Sequence, residues 1–109
     1  MAPLDRSFSI RVGNAEERVR VQVRQNRGTI ERFTVQLELE IDGDLVPVVR
    51  WDTAHGFAHR DHLNRDGSTH HWDEMSRFED FSASLTEAIA DATDNEQRYR
   101  TDFIRRSEH

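Results

Sequence analysis

The sequence predicts an α+β fold, in which an antiparallel sheet of four to six strands is followed by one C-terminal helix packed on one face. Two patterns predict it. Before residue 72, apolar and polar residues alternate along several segments, as they do in half-buried strands. From residue 84 onwards, apolar residues recur at helical spacing instead. The length of 109 residues suits a single domain.

The first strands follow an arm of residues 1–5, which we expect to be flexible. Apolar residues alternate with polar ones in two segments: Phe8, Ile10 and Val12, and then Val19, Val21 and Val23. Between them, Gly13-Asn14 has the composition of a turn. We therefore place the start of the sheet at residue 6 and extend it to residue 72.

The clearest strand spans residues 33–41, where five alternations in succession oppose a helix. Asp42-Gly43 then predicts a hairpin, with residues 45–52 as the returning strand. A three-residue loop would place Leu45, Val49 and Trp51 on the inner face, and a two-residue loop would place their neighbours there. The sequence leaves both registers open. Pro47 indicates an edge position or a bulge.

The remaining elements are two short strands and the helix. Residues 57–63 and 68–72 read as strands, separated by turn-forming residues. A polar connection, residues 73–83, leads to Ser84-Leu85-Thr86-Glu87, whose Ser and Glu predict a capping box. The helix should span residues 84–106 and cover the sheet, with Arg105 and Arg106 near its negative end.

Composition excludes several classes of protein. There is no cysteine, so a disulfide framework and a thiolate metal site are ruled out. No apolar run is long enough to cross a membrane, and the N-terminus lacks the apolar core of a signal peptide, so we expect a cytoplasmic location. All 15 basic residues are arginine, and the formal net charge is −6. Arginines dominate both ends of the chain, whereas acids dominate its middle.

One segment, Arg50 to His62, concentrates the side chains that do chemistry. Our leading interpretation is acid–base chemistry on an RNA phosphodiester, with no cofactor required. His55 or His59 would act as base or acid, and Asp52 or Asp61 would orient an imidazole. Arg50 or Arg60 would hold phosphate.

Two other interpretations stay open for this segment. In a metal-dependent enzyme, His59 and Asp61 would share one face of a strand, and His55 would approach that face to complete a site for zinc, manganese or iron. In a non-enzymatic interaction domain, the chain would bind a protein partner or form a homodimer through an open sheet edge near Pro47. The segment would then be an ordinary polar hairpin surface.

A second candidate surface is the arginine face of the strand around residue 20. Arg18, Arg20 and Arg24 would join the arginines of the C-terminal helix in binding RNA phosphates. The same arginines would alternatively pair with Glu38 and Glu40 on the next strand. We favour pairing, because that strand is acidic on its polar face.

The run Val48-Val49-Arg50-Trp51-Asp52-Thr53-Ala54-His55-Gly56, followed by His59-Arg60-Asp61, resembles a motif of small uncharacterised bacterial and archaeal proteins. It is similar to that of TumE-type toxins of toxin–antitoxin modules, although Trp51 and Thr53 stand where those toxins more often have Tyr and Asn. The resemblance implies nuclease chemistry at Asp52, His55 and His59. It also implies a cognate antitoxin as partner.

Overall fold

The computed structural model describes residues 2–14, 16–75 and 80–108. Within these residues, six strands form one antiparallel sheet in the order of the chain, followed by two helices. The elements are β1 (Leu4–Arg11), β2 (Arg18–Asn26), β3 (Thr29–Ile41), β4 (Asp44–Asp52), β5 (His59–Leu63), β6 (Thr69–Glu74), α1 (Phe81–Asp94) and α2 (Glu96–Ser107). The α+β class is confirmed. No helix in the described ranges has the length and apolar character that a membrane crossing needs.

The hydrophobic core lies between one face of the sheet and the two helices. The alternating valines of β2 lie directly opposite the alternating residues of β3, Val19 against Leu37 and Val21 against Val35. All four are fully buried. The helices reach this face through aromatic contacts, such as Phe81 on Phe33. The other face of the sheet carries polar side chains, and we call it the open face.

The β3–β4 hairpin combines both registers that the sequence left open. Ile41 pairs with Asp44 across a two-residue turn, which places Val46 on the core face. The pairing then shifts by one residue beyond Pro47, so that Val49 and Trp51 also face the core. A bulge at Pro47 is thus confirmed. The bulge explains how one strand can bury an even-numbered residue, Val46, before it and the odd-numbered residues Val49 and Trp51 after it.

The ends of the sheet differ from the prediction. Leu4 and Asp5 belong to β1, so this part of the expected flexible arm is a strand, while Met1 lies outside the described residues. β6 continues to Glu74, two residues into the expected connection. Residues 76–79 of that connection are likewise outside the described ranges.

The prediction of one helix over residues 84–106 is wrong in two respects. The first helix begins at Phe81, because Asp80 accepts hydrogen bonds from the N–H groups of Ser82 and Ala83 and acts as the cap in place of Ser84. The helix is then broken at Asn95, whose φ and ψ of −118° and 19° are not helical. The predicted position of Arg105 and Arg106 in the last turn is confirmed.

A buried carboxylate ties the first loop to the rest of the fold. Glu17 is 1% exposed. It accepts hydrogen bonds from the N–H groups of Asn14 and Glu40 and from the Arg100 guanidinium, at 3.0, 2.8 and 2.7 Å. The bond to Arg100 leads the causes that lower the pKa of Glu17 from 4.5 to about 2, against the opposing effect of burial. Three elements are thereby joined through one side chain.

Candidate functional site

Three side chains of the Arg50–His62 segment converge on the open face. Asp52 ends β4 and lies directly opposite His59, which begins β5. Asp61 lies two residues beyond His59 and therefore projects from the same face. His59 Nε2 is 3.1 Å from Asp52 Oδ1 and 3.4 Å from Asp61 Oδ2. One ligand atom from each residue lies within 4.8 Å of the others. Three of the residues that the sequence named therefore lie together: Asp52, His59 and Asp61.

The loop between β4 and β5 holds Asp52 in place. Asp52 Oδ1 accepts a hydrogen bond from the Ala54 N–H at 3.0 Å. Gly56, with φ of +83°, closes a turn by donating its N–H to the Thr53 carbonyl. The Thr53 hydroxyl in turn accepts the buried N–H of Phe33. The turn residues of the motif thus fix the direction of the carboxylate.

His59 is held by its backbone surroundings. The side chain is buried, with the residue 2% exposed, and its Nδ1 lies 3.4 Å from the Phe57 carbonyl oxygen. The Phe57 carbonyl oxygen can only accept, as can the two carboxylate oxygens that face Nε2, so each ring nitrogen faces acceptors alone. With the proton on Nδ1, the Nε2 lone pair would be available to a cation between the two carboxylates; with the proton on Nε2, the ring would donate a hydrogen bond to Asp52.

These distances suit a small divalent metal. Bonds of roughly 2.0–2.2 Å in tetrahedral geometry separate neighbouring ligand atoms by roughly 3.3–3.6 Å. The two separations from His59 Nε2, 3.1 and 3.4 Å, come close to this range. One imidazole and two carboxylates suit zinc, manganese or iron. A backbone carbonyl on the other ring nitrogen is the usual way of orienting a ligating histidine.

His55 lies beside this group and outside it. Its side chain is exposed, and its ring centroid is 5.0 Å from that of His59. Phe57 continues the same aromatic surface, with its ring 6.0 Å from that of Trp72. Trp72 lies opposite Asp61 on the open face and is 56% exposed. Trp72 was not among the candidate site residues that the sequence predicted.

Arg50 adjoins the site from the other side. It lies opposite Asp61 on the open face, and its Nε donates to Gln36 Oε1 at 3.0 Å. Among the described residues, Arg50 forms no ion pair with a carboxylate. Arg50 therefore places guanidinium nitrogens beside Asp61 that no carboxylate of the described residues neutralises.

The arginines of β2 are paired within the chain. Arg18 and Arg20 contact Glu38 at 2.7 and 3.4 Å, as favoured from the sequence, whereas Glu40 takes no part. Arg24 pairs with Asp5 of β1 at 3.2 Å. These contacts occupy the three arginines that were candidates for phosphate binding.

Arg60 projects from the opposite face, because it alternates with His59 and Asp61. Its guanidinium pairs with Asp73 and donates to Asp91 and to the Tyr99 hydroxyl, at 3.0 and 2.9 Å. Burial lowers the pKa of Arg60, but the bonds to these partners outweigh it and raise the pKa overall. Arg60 thus joins helix to sheet and does not face the site where phosphate binding was expected.

Asp91 is the centre of this helix–sheet network, which the sequence analysis missed. It accepts from Trp51 Nε1 at 3.1 Å and from the Tyr99 hydroxyl at 2.7 Å. Burial raises the pKa of Asp91, but hydrogen bonds from Tyr99, Asn95 and Arg60 more than offset this and leave it lowered. One feature of the sequence could have indicated this network: Asp91 is a carboxylate within the apolar stripe of the helix, one turn after Ala88.

A shallow groove of about 780 Å³ opens beside Asp52. Its charged lining comprises three arginines and three acids: Arg6, Arg24, Arg32, Asp5, Glu31 and Asp52. A divalent ion at Asp52 would offset that carboxylate and leave the groove with excess positive charge. The groove would then favour an anionic ligand.

The profile of a protein family described as "Domain of unknown function (DUF7718)" matches residues 1–109. No curated protein sequence and no solved structure matches the chain.

Proposed function

We propose that this chain, which belongs to the DUF7718 family of domains of unknown function, binds a divalent metal ion through Asp52, His59 and Asp61 and acts on RNA at that centre. One observation carries the proposal. Three ligand atoms lie within 4.8 Å of one another on the open face, where His59 is buried and the two aspartates are partly exposed. The site lies within the Arg50–His62 segment that the sequence singled out.

The orientation of His59 favours a metal over acid–base catalysis by this residue. A general base must present its lone pair to the substrate. Nε2 of His59 instead points between two carboxylates, and the ring is buried. The same geometry would direct the lone pair towards a shared cation. Asp52 and Asp61, each partly exposed, would hold that cation near the surface.

The surroundings of the site favour RNA as substrate. Exposed aromatic rings stack on unpaired bases, and Trp72 with Phe57 offers such a surface beside Asp61. Arg50, on the other side, can bind a phosphate through its terminal nitrogens. The groove at Asp52 extends the site along the sheet. A single-stranded segment can thus contact base-stacking and phosphate-binding groups at once.

The reaction we propose is hydrolysis of a phosphodiester. The oxygen of a water molecule forms a bond to phosphorus, the bond from phosphorus to one bridging oxygen breaks, and the proton that the water loses ends on the departing sugar oxygen. A divalent ion held by Asp52, His59 and Asp61 would supply Lewis-acid polarisation of the phosphoryl oxygen and ease deprotonation of the water. Arg50 stabilises the charge that develops on the phosphate.

Cleavage of a labelled single-stranded RNA tests the proposal. We compare the wild type with Asp61→Asn, which keeps the shape of the side chain but removes its charge. Asp44→Asn is the matched control, because Asp44 is an exposed carboxylate at the far end of β4. We expect a chelator to abolish cleavage by the wild type and Mn²⁺ to restore it. The cleavage rate should be at least about hundredfold lower in Asp61→Asn and unchanged in Asp44→Asn.

Two outcomes would contradict the metal-dependent reaction. Cleavage that survives the chelator and disappears in His55→Ala would favour metal-free chemistry, with the exposed His55 as the proton-transferring group. Binding of RNA without cleavage would reduce the site to a binding surface.

The toxin-like role implied by the resemblance has its own test, since expression of the wild type should arrest growth while expression of Asp61→Asn should not.

A further inference from the structure

β1 is an exposed edge of the sheet with apolar side chains. It pairs with β2 through all eight residues without a register shift, and among the described elements it has no partner on its other side. Leu4 is 58% exposed and Phe8 is 44% exposed. Natural proteins protect such edges with proline, bulges or a covering element, because the unpaired backbone groups accept another strand. The strand Leu4–Arg11 contains no proline and no bulge.

The two charges that β1 carries on the open face are placed symmetrically around Phe8, whereas Arg6 lies on the core face opposite Val23. Asp5 lies three residues before it and Arg11 lies three residues after it. Both project from the open face, since Asp5 lies opposite Arg24 and Arg11 opposite Arg18. A strand with this pattern is complementary to an antiparallel copy of itself.

We propose that β1 pairs with β1 of a second copy of this chain, antiparallel, with the two Phe8 residues opposite each other at the two-fold axis. Asp5 of each copy then lies opposite Arg11 of the other, which gives two equivalent cross-strand ion pairs. The two Phe8 rings meet on the face that the helices cover, next to Val21. The two sheets become one continuous sheet.

The charge pattern selects this register over its neighbours. A shift by two residues places Phe8 opposite Arg6 or Ile10 and separates Asp5 from Arg11. A shift by one residue places apolar side chains of one copy on the polar face of the other. The Phe8-centred register alone forms both ion pairs and keeps the two faces distinct.

Two complementary charge reversals test the pairing. Asp5→Arg makes positions 5 and 11 both positive, and Arg11→Asp makes them both negative. Each variant alone should repel its own copy, whereas a mixture of the two restores both ion pairs in a heterodimer. Asp94→Arg is the control, because it changes an exposed acid near the end of α1 by the same charge. Circular dichroism verifies that each variant is folded.

Analytical ultracentrifugation gives the readout. We expect a wild-type dimer, an unchanged Asp94→Arg dimer, a dissociation constant at least about tenfold higher for each β1 variant, and recovery of the dimer in the equimolar mixture. A wild type that stays monomeric into the millimolar range would overturn the proposal and favour a different occupant of the edge. A dimer insensitive to both variants, or no recovery in the mixture, would also overturn it. None of these outcomes depends on the metal centre.

Discussion

The sharpest stability prediction concerns Glu17, the buried carboxylate that joins the first loop, β3 and α2. We consider Glu17→Gln, which keeps the size of the side chain. The amide still accepts at its oxygen, but its NH₂ group must face either the N–H of Glu40 or the guanidinium of Arg100, both of which are donors. At least one hydrogen bond is therefore lost, and a buried donor is opposed by another.

The expected loss of stability in Glu17→Gln follows from the lowered pKa of Glu17. Lowering the pKa of Glu17 from 4.5 to about 2 stabilises the folded state by about 3 kcal/mol at neutral pH, at roughly 1.4 kcal/mol per pKa unit. Because the folded-state pKa is the lower one, this stability is fully present above pH 4.5. It is lost as the pH falls towards 2, where the carboxylate is protonated in both states.

Urea unfolding at several pH values measures the effect. Glu16→Gln is the matched control, since Glu16 is the exposed neighbour of Glu17. We expect Glu17→Gln to lower the free energy of unfolding by about 3 kcal/mol at pH 7, with the gap to wild type narrowing below pH 4.5, and Glu16→Gln to change it by less than about 0.5 kcal/mol. Equal losses in the two variants, or a gap that persists unchanged to pH 2, would refute this reasoning.

Three further predictions concern stability. Burial, with neighbouring positive groups, lowers the pKa of His62 from 6.5 to about 4. As the pH falls from 6.5 to 4, the free energy of unfolding of the wild type should therefore decrease by up to about 3 kcal/mol through this group, and in His62→Gln this decrease should be absent. Tyr99→Phe removes a hydrogen bond to Asp91 and should cost about 1–2 kcal/mol in urea unfolding, whereas a neutral result would show that Asp91 is satisfied without it. Gly13→Ala places a methyl group against the carboxylate of Glu17, so its melting temperature should fall, and an unchanged value would mean that the loop yields.

The sheet could be predicted because each strand repeats one simple pattern. The alternation in β3 marks its buried face without reference to any other residue. The register of the hairpin could not be derived in the same way, because the bulge at Pro47 changes which residues face the core halfway along β4. Pro47 indicated a bulge, but no neighbouring residue determined which side chains would face the core before and after it.

The helix boundary shows a similar limit. Asp80 and Ser84 are both good capping residues, and the choice between them depends on Phe81 reaching Phe33 in the core. At the break, the Asn95 side chain donates to Asp91, which also accepts hydrogen bonds from Trp51 of the sheet and Tyr99 of α2. Such tertiary contacts are invisible in a single segment.

The candidate site was predictable in part. Asp52, His59 and Asp61 were singled out, together with His55 and Arg50, because such side chains are concentrated in one segment, and only His59 and Asp61 were placed by strand spacing. Arg60 was assigned to the same site, although alternation along β5 directs it to the opposite face. Trp72 was not connected to the site, because it comes from β6, the next strand of the sheet, and only the pairing between strands brings it opposite Asp61.

Binding of Mn²⁺ followed by isothermal titration calorimetry tests the metal centre most directly. We predict one equivalent bound by the wild type and by Asp44→Asn, with affinity at least about tenfold weaker in Asp61→Asn and in Asp52→Asn. Binding should also weaken at low pH, because a metal binds its protein ligands only in their deprotonated form. No heat of binding, or equal binding by all four proteins, would contradict a metal centre at Asp52, His59 and Asp61.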